Sequence, residues 1–407
     1  MKVTIEKLDH YGKGIAHLNS KIIFVENALP REIVDIKVTK EKKNILEASV
    51  YKYIKKSESR IESLCPYFNE CGGCDLLHMK YEDQLAFKKE KVMEIMRKYA
   101  GISEEHVKEI IPSSNISYRN KVTLKVKDNK IGYYKKGTNE IIQIKACIIA
   151  NDKINFVIKN LESLENISNI KEIVIRSMQD DVSLSVCLQK YKKDSELLKK
   201  LYTFVDKVHF YSDNKTEKVT VESNIIARLG KYSFFVSPDS FFQINNSGAL
   251  KLYDKISEYL RNSYKMNVLD LYCGTGSIGI YVSEFCNYVV GIEINEMAVN
   301  DAVRNAETNK IKNIKFILGD VKHALKKIDS RIDAVILDPP RAGIDNKTCE
   351  YLLTNSFEKI IYVSCDPMTL ARDLKILKTK YEVIEITPID MFPNTHHIES
   401  VCLLEYR

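Results

Sequence analysis

Cys365 closes an apolar run, Ile361-Tyr-Val-Ser-Cys-Asp-Pro. A sulfur placed where a strand gives way to a loop can add to an electron-poor carbon. Ligands and reacting groups of open α/β sheets collect at those carboxyl ends. Asp366 beside it opposes thiolate formation, so a nucleophilic Cys365 needs help from another group, and a small buried residue is the plainer reading. Further along, Phe392-Pro-Asn-Thr-His-His-Ile-Glu399 pairs an acid with two imidazoles, His396 and His397, at a spacing that matches no common zinc site. Upstream, Asn267-Val-Leu-Asp-Leu-Tyr runs into Cys273-Gly-Thr-Gly-Ser-Ile-Gly279, a turn whose glycines let a ligand approach the backbone. Alone this pattern suits a dinucleotide as well as S-adenosylmethionine. Three acids narrow the choice. Glu293 ends the next strand and can accept two ribose hydroxyls, Asp320 can face an adenine amino group, and Asp338 opens Asp-Pro-Pro-Arg341 after a further strand. Each acid by itself could be a helix N-cap, but as a set they favour an adenosyl-sulfonium ligand. A last cluster, Cys65-x5-Cys71-Gly-Gly-Cys74 with Cys147 beyond it, supplies four thiolates that suit a [4Fe–4S] cluster and Zn²⁺ equally.

The elements that carry these residues differ in texture. Up to residue 54, short alternating runs (VTIEKL, KIIFVENAL, EIVDIKVTK, LEASVYKYI) with turns at Tyr11-Gly and Leu29-Pro predict a small β-barrel of OB type, or a purely structural β cap. Tyr81 to Tyr99 reads as a helix with Leu85, Val92, Ile95, Met96 and Tyr99 facing a core and no visible chemistry. Residues 117–245, including SFFQIN at their end, are mostly strand-like around one helix at Asp194–Asp206, a mixed α/β domain. After a helix at Ser247–Asn262, β-branched strands alternate with helical segments, which predicts an α/β fold with a parallel, helix-flanked sheet of Rossmann-like type. Its last two runs lack an intervening helix and should form an antiparallel hairpin at one edge. The boundaries expected are 1–54, 55–246 and 247–407.

A chain of 407 residues with 44% hydrophobic and 29% charged residues has the composition of globular domains, two or three at this length. No run of about 18 uncharged apolar residues exists, which excludes a helical membrane span. The first residues, MKVTIEKLDHYGKG, lack the apolar region of a signal peptide, so a cytoplasmic location with reduced thiols is expected. Residues 1–150 hold 28 Lys and Arg against 20 Asp and Glu, while residues 151–407 hold 34 against 35. A basic front end fits a module that grips phosphate backbones, although a lysine-rich surface would give the same count.

SFFQIN (240–245), DLYCGTG (270–276), DPPRAG (338–343), YVSCDP (362–367) and FPNTHHIE (392–399) occur in the order found in the RNA uridine-5-methyltransferases, which this chain resembles over nearly its whole length. That family includes 23S rRNA and tRNA (uracil-54) enzymes. The resemblance implies a TRAM domain at the N-terminus, an RNA-binding central domain and a methyltransferase domain that uses S-adenosylmethionine. It implies Cys365 as the nucleophile that adds to C6 of uracil and Glu399 as the base that removes the C5 proton. It assigns Gln243, Tyr272, Glu293 and Asp338 to S-adenosylmethionine, with Asp320 alongside them. Asn394 stands where the motif often has His. The same resemblance makes Cys65, Cys71, Cys74 and Cys147 ligands of a structural [4Fe–4S] cluster, and suggests that the helix near 80–100 packs on the catalytic domain. Cys187, Cys273, Cys286, Cys349 and Cys402 remain as packing residues. The expected substrate is 23S rRNA, with the T-loop uridine of tRNA as the rival, and the expected state is a monomer with no membrane partner. A non-catalytic RNA-binding factor on the same fold is a further alternative, opposed by the presence of both Cys365 and Glu399.

Overall fold

The computed structural model describes all residues except 166, 180, 191–194, 213–218, 221–224, 239, 262–263 and 322–330. Alternating residues of the first 55 make six strands: β1 (Lys2–Thr4), β2 (Lys7–Leu8), β3 (Gly14–Leu18), β4 (Lys21–Glu26), β5 (Ile33–Lys42) and β6 (Ile45–Lys55), ordered β1-β5-β6-β4-β3-β2. The period of two turns Val3, Ala16, Ile23, Val25, Val34 and Leu46 into one small core.

Helix α1 (Tyr81–Ile95) follows the cysteine loop, continues through a π-type turn at Met96–Ala100 and stops at Gly101 in the left-handed region (φ 63°). Val92, Ile95 and Met96 are fully buried, but in the core of the C-terminal sheet rather than beside the first one. The apolar stripe read from sequence is only half of the buried face. Tyr99 is exposed, whereas Gln84, Lys88 and Lys91 are buried.

Strands β7 (Lys121–Lys127), β8 (Lys130–Tyr134), β9 (Ile141–Gln143), β10 (Ile170–Met178), β11 (Asp181–Leu188), β12 (Lys207–Ser212) and β13 (Val219–Thr220) form a mixed sheet ordered β13-β12-β11-β10-β7-β8-β9. Helix α2 (Asp152–Leu161) lays Ile154, Val157, Ile158 and Leu161 on it, capped by the Asn151 side chain, which accepts from the Ile154 amide. Helix α3 (Ser195–Leu201) is the expected helix of this domain. Its predicted start at Asp194, like the predicted end of the later helix at Asn262, lies outside the described residues. A separate hairpin, β14 (Ile225–Leu229) and β15 (Tyr232–Val236), ends before SFFQIN, which is not a strand. Pro238 removes a ladder donor there, and the Ser237 amide and the Ser237 and Ser240 hydroxyls donate to Asp301 instead.

The C-terminal part is the Rossmann-like unit. After α4 (Asn246–Leu260) come β16 (Asn267–Leu271), α5 (Ser277–Val282), β17 (Tyr288–Glu293), α6 (Glu296–Thr308), β18 (Ile314–Leu318), β19 (Ala334–Leu337), α7 (Asn346–Thr354), β20 (Lys359–Ser364), α8 (Pro367–Leu377), β21 (Tyr381–Ile389) and β22 (Glu399–Tyr406). The sheet order is β18-β17-β16-β19-β20-β22-β21, parallel except for β22, which is antiparallel to both β20 and β21. The expected edge hairpin is therefore present. Leu269 and Leu271 face one layer while Val268 faces the other, so both sides of the sheet are covered. The order reverses between β16 and β19, and a crevice opens there at the carboxyl ends.

Candidate active site

The crevice contains a cavity of about 420 Å³, within the range of small-molecule sites, lined by Tyr272, Glu293, Asp320, Asp345 and Thr348 among others. Tyr272 opens the glycine turn that follows β16. Tyr272 (φ 64°), Gly274 (φ 53°) and Gly276 (φ 75°) are all left-handed. A side chain on Gly276 would lie 2.6 Å from the Phe316 ring, whereas one on Gly274 would meet nothing within 4 Å. The first is thus needed for packing, and the second leaves the backbone bare toward the crevice. Glu293 braces this turn, accepting from the Gly274 amide at 3.1 Å and the Asn295 amide at 2.8 Å. The Tyr272 hydroxyl hydrogen-bonds Thr348 at 3.1 Å, beside Asp345, which caps α7. Of the residues expected at the cofactor, Tyr272, Glu293 and Asp320 meet in this cavity, while Gln243 and Asp338 do not line it. Gln243 is buried, and its carbonyl accepts from Asn120 at 3.0 Å. Asp338 follows β19, and burial pushes its carboxyl up to about 7.

The reaction-centre candidates come together at the end of the β20–β22 ladder. The ladder ends where Ser364 pairs with Ser400. The residues just beyond them, Cys365 and Glu399, are near enough for the charge of Glu399 to act on the thiol. Cys365 is half-buried and Glu399 buried. Burial pushes the Cys365 thiol up to about 11, with the charges of Glu399, Asp338 and Asp366 adding to the rise and Arg341 opposing it. Burial, then Asp338, holds Glu399 well above the usual carboxylate range, again against Arg341. Arg341, from Asp-Pro-Pro-Arg, is the cation shared by the thiol and the acid. Asp366 is engaged elsewhere, capping α8 by accepting from the Met368 and Thr369 amides. His397 is neutral, pushed down to about 4 by burial and then by His396 and Arg341.

The loop before Glu399 is held by residues that the sequence reading passed over. Along one face of α1, Gln84, Lys88 and Lys91 all reach it. Gln84 donates to the Asn394 side chain at 3.1 Å and accepts from the Asn394 amide at 3.0 Å. Lys88, fully buried, donates to Asp390 at 2.6 Å and to the Phe392 carbonyl at 3.0 Å. Lys91 donates to the His396 carbonyl at 2.9 Å and to the His10 carbonyl of the barrel at 2.8 Å. Asp75, from the cysteine loop, accepts from the His396 amide at 3.1 Å and pairs with its Nδ1 at 2.6 Å. Burial works to raise the Asp75 carboxyl, but His396 holds it below the ordinary value. The only sign of this in the sequence is the i, i+4, i+7 spacing of the three polar residues.

Cys65, Cys71, Cys74 and Cys147 share one corner of the central domain. Burial raises the thiols of the first three, and the charge of Cys147 raises each further. The donor set is all sulfur, which fits an iron–sulfur cluster or Zn²⁺ in chemistry. Among the described residues, however, no three or more His, Cys, Asp or Glu side chains are gathered as a metal-holding group. The other five cysteines are buried.

Residues 80–407 match the model of the tRNA (uracil-5-)-methyltransferase family, and residues 1–51 match the TRAM domain. The chain belongs to the tRNA (uracil-5-)-methyltransferase family. It is an S-adenosylmethionine-dependent RNA methyltransferase with an N-terminal TRAM domain. Relatives include proteins named as uncharacterized RNA methyltransferases from Aquifex aeolicus, 36% identical over all of this chain and 99% of the relative, and from Clostridium tetani, 33% identical over 97% of this chain and 94% of the relative. The structure is similar to that of the Pyrococcus abyssi tRNA (uracil-54, C5)-methyltransferase in complex with S-adenosyl-L-homocysteine. The TM-score is 0.80 at 26% identity, over 99% of this chain and all of that one. Among the described residues no helix of this methyltransferase is long and apolar enough to cross a membrane.

Proposed function

We propose that the protein methylates C5 of an unstacked uridine in 23S rRNA, with Cys365 as nucleophile and Glu399 as base. The observation that carries this reading is the meeting of Cys365, Glu399, Asp338 and Arg341 in one mutual field at the end of β20 and β22. S-adenosylmethionine supplies an electrophilic methyl group when bound. Tyr272, Glu293 and Asp320 of the cavity are assigned to holding it, with Gln243 and Asp338. A neutral vinylic C5 is a poor nucleophile. As the Cys365 thiolate bonds to C6, the C5=C6 electron pair shifts toward C5 and O4, and C5 can attack the methyl carbon. The bond from that carbon to the sulfonium sulfur breaks, with its electron pair left on that sulfur as a neutral thioether. Glu399 then takes the C5 proton. The C–H pair restores C5=C6 and the S–C6 bond breaks, returning the thiolate. The two groups are needed as anions at different moments. Glu399 raises the thiol, so ionising one opposes ionising the other. Once sulfur is a neutral thioether that opposition is gone, and Glu399 is freer to act as a carboxylate.

The TRAM domain and the four-cysteine set support 23S rRNA as the substrate. The whole-chain likeness to a tRNA (uracil-54, C5)-methyltransferase favours a second reading, the T-loop uridine of tRNA. We also propose that Cys65, Cys71, Cys74 and Cys147 carry a structural [4Fe–4S] cluster. The domains are assigned as 1–54, 55–246 and 247–407, acting as a cytoplasmic monomer. Incubation with S-adenosylmethionine and either 23S rRNA fragments or tRNA transcripts, followed by nucleoside mass spectrometry, tests the substrate. 5-Methyluridine should appear in the 23S fragments. Its appearance only in tRNA would establish the second reading, and its absence from both would overturn the activity.

A further inference from the structure

A cleft of about 340 Å³ is lined by His396 but by none of His397, Cys365 and Glu399. Its walls come from three regions of the chain: Tyr11, Lys13 and Asn27 of the barrel, Asp75 and Lys136 of the central region, and His396 of the catalytic loop. Tyr11 is 65% exposed, so its ring is open to a ligand. Its turn is nevertheless fixed. The Asp9 carboxylate accepts from the Tyr11 and Lys13 amides at 2.9 and 2.7 Å, and a side chain on Gly12 (φ 85°) would strike Leu76 at 2.8 Å. The Tyr11 ring meets His396 edge-on with centroids 5.3 Å apart, and the His396 ring lies 4.1 Å from that of His397. The hydrogen bond to Asp75 fixes the orientation of the His396 ring. A run of rings therefore leads from the reaction centre, where His397 feels the charge of Arg341, out to this cleft. Lys13 and Lys136 stand on its walls, Lys13 beside Glu26 at 3.3 Å.

A uridine taken from its stack in a single-stranded loop leaves a neighbouring base without a stacking partner. Pre-set rings flanked by cations suit such a base and its phosphates. We propose that this cleft binds the base of a second unstacked nucleotide adjoining the target uridine, stacked on the Tyr11 ring beside His396, with its phosphates near Lys13 and Lys136. The inference rests on the uridine-methylating activity proposed above and adds a determinant of substrate choice outside the catalytic domain.

The test uses the full chain and an RNA stem-loop in which it forms 5-methyluridine, together with copies carrying an abasic ribose at each position flanking that uridine. Tyr11→Ala should raise the Kd for the intact stem-loop roughly tenfold, as expected for loss of one base–aromatic stack. Tyr11→Phe should restore most of the affinity. One abasic RNA should weaken binding of the unaltered chain to a similar extent while weakening Tyr11→Ala little further. Because the Tyr11 ring is exposed, its truncation leaves no core cavity. If Tyr11→Ala binds like the unaltered chain, or loses the same factor on every abasic RNA, the cleft assignment is wrong while the methylation reading stands. If the unaltered chain methylates no RNA, both fall together.

Discussion

At the scale of single residues the unusual feature is Cys365, the proposed nucleophile, whose thiol burial pushes up to about 11. At neutral pH the thiol form dominates, and the thiolate fraction grows about tenfold per pH unit up to that value. Site-resolved alkylation of Cys365 by iodoacetamide should therefore accelerate steeply between pH 8 and 10 rather than level off near 8.5. Arg341→Ala should slow it at any fixed pH by removing the one opposing cation. A plateau below pH 9 would contradict the assignment of burial as the main cause. The sequence made Cys365 and the acids after successive strands visible, because strand ends are marked by loss of apolar residues. It could not show that Asp338 falls outside the lining of the cavity, nor that Asn394 is engaged as an amide. Asn394 bridges Gln84 and the Asn115 carbonyl, donating to the latter at 2.5 Å.

Among the elements, α1 packs on the C-terminal sheet as the resemblance implies, but the polar part of its buried face was not legible. Its apolar residues were legible as a core stripe, but Gln84, Lys88 and Lys91 look like solvent-facing residues until their partners are known. Those partners lie some 300 positions away in sequence. The Lys88–Asp390 pair is fully buried, and burial lowers the ammonium against the pull of Asp390. Removing one member strands the other charge, so Lys88→Ala should cost about 3–5 kcal/mol of stability by urea titration. The apolar pair Lys88→Met with Asp390→Leu should recover most of that. A loss below 1 kcal/mol in the single variant would mean that the pair is not buried as described. By contrast, the order β16, α5, β17, α6, β18 was readable in advance, since each strand is a short, largely apolar run that gives way to a glycine or an acid within a few residues. SFFQIN misled because its apolar letters carry no ladder. Its neighbouring serines bind Asp301, a residue of α6.

For the whole molecule, the catalytic loop is reached from every part of the chain: Lys91 ties it to the barrel, Asp75 to the cysteine loop, and Gln84 and Lys88 to α1. The excess of basic residues in the first 150 positions thus belongs to the regions from which Lys91 and Asp75 hold this loop. The cysteine corner is part of this arrangement, since Asp75 follows Cys74 directly. If it carries the proposed cluster, protein purified without oxygen should be brown with about four iron atoms per chain. Cys71→Ala should lose the colour and melt at a lower temperature. A colourless protein with one zinc per chain would replace the cluster with a zinc site.

The central claim is covalent catalysis by Cys365. RNA carrying 5-fluorouridine, incubated with the protein and S-adenosylmethionine, presents a C5 that has no proton for Glu399 to remove, so the thiolate cannot be expelled. A protein–RNA adduct that survives a denaturing gel, and that is absent with Cys365→Ala, is the predicted result. No adduct with either 23S fragments or tRNA, or an adduct that persists in Cys365→Ala, would contradict the account.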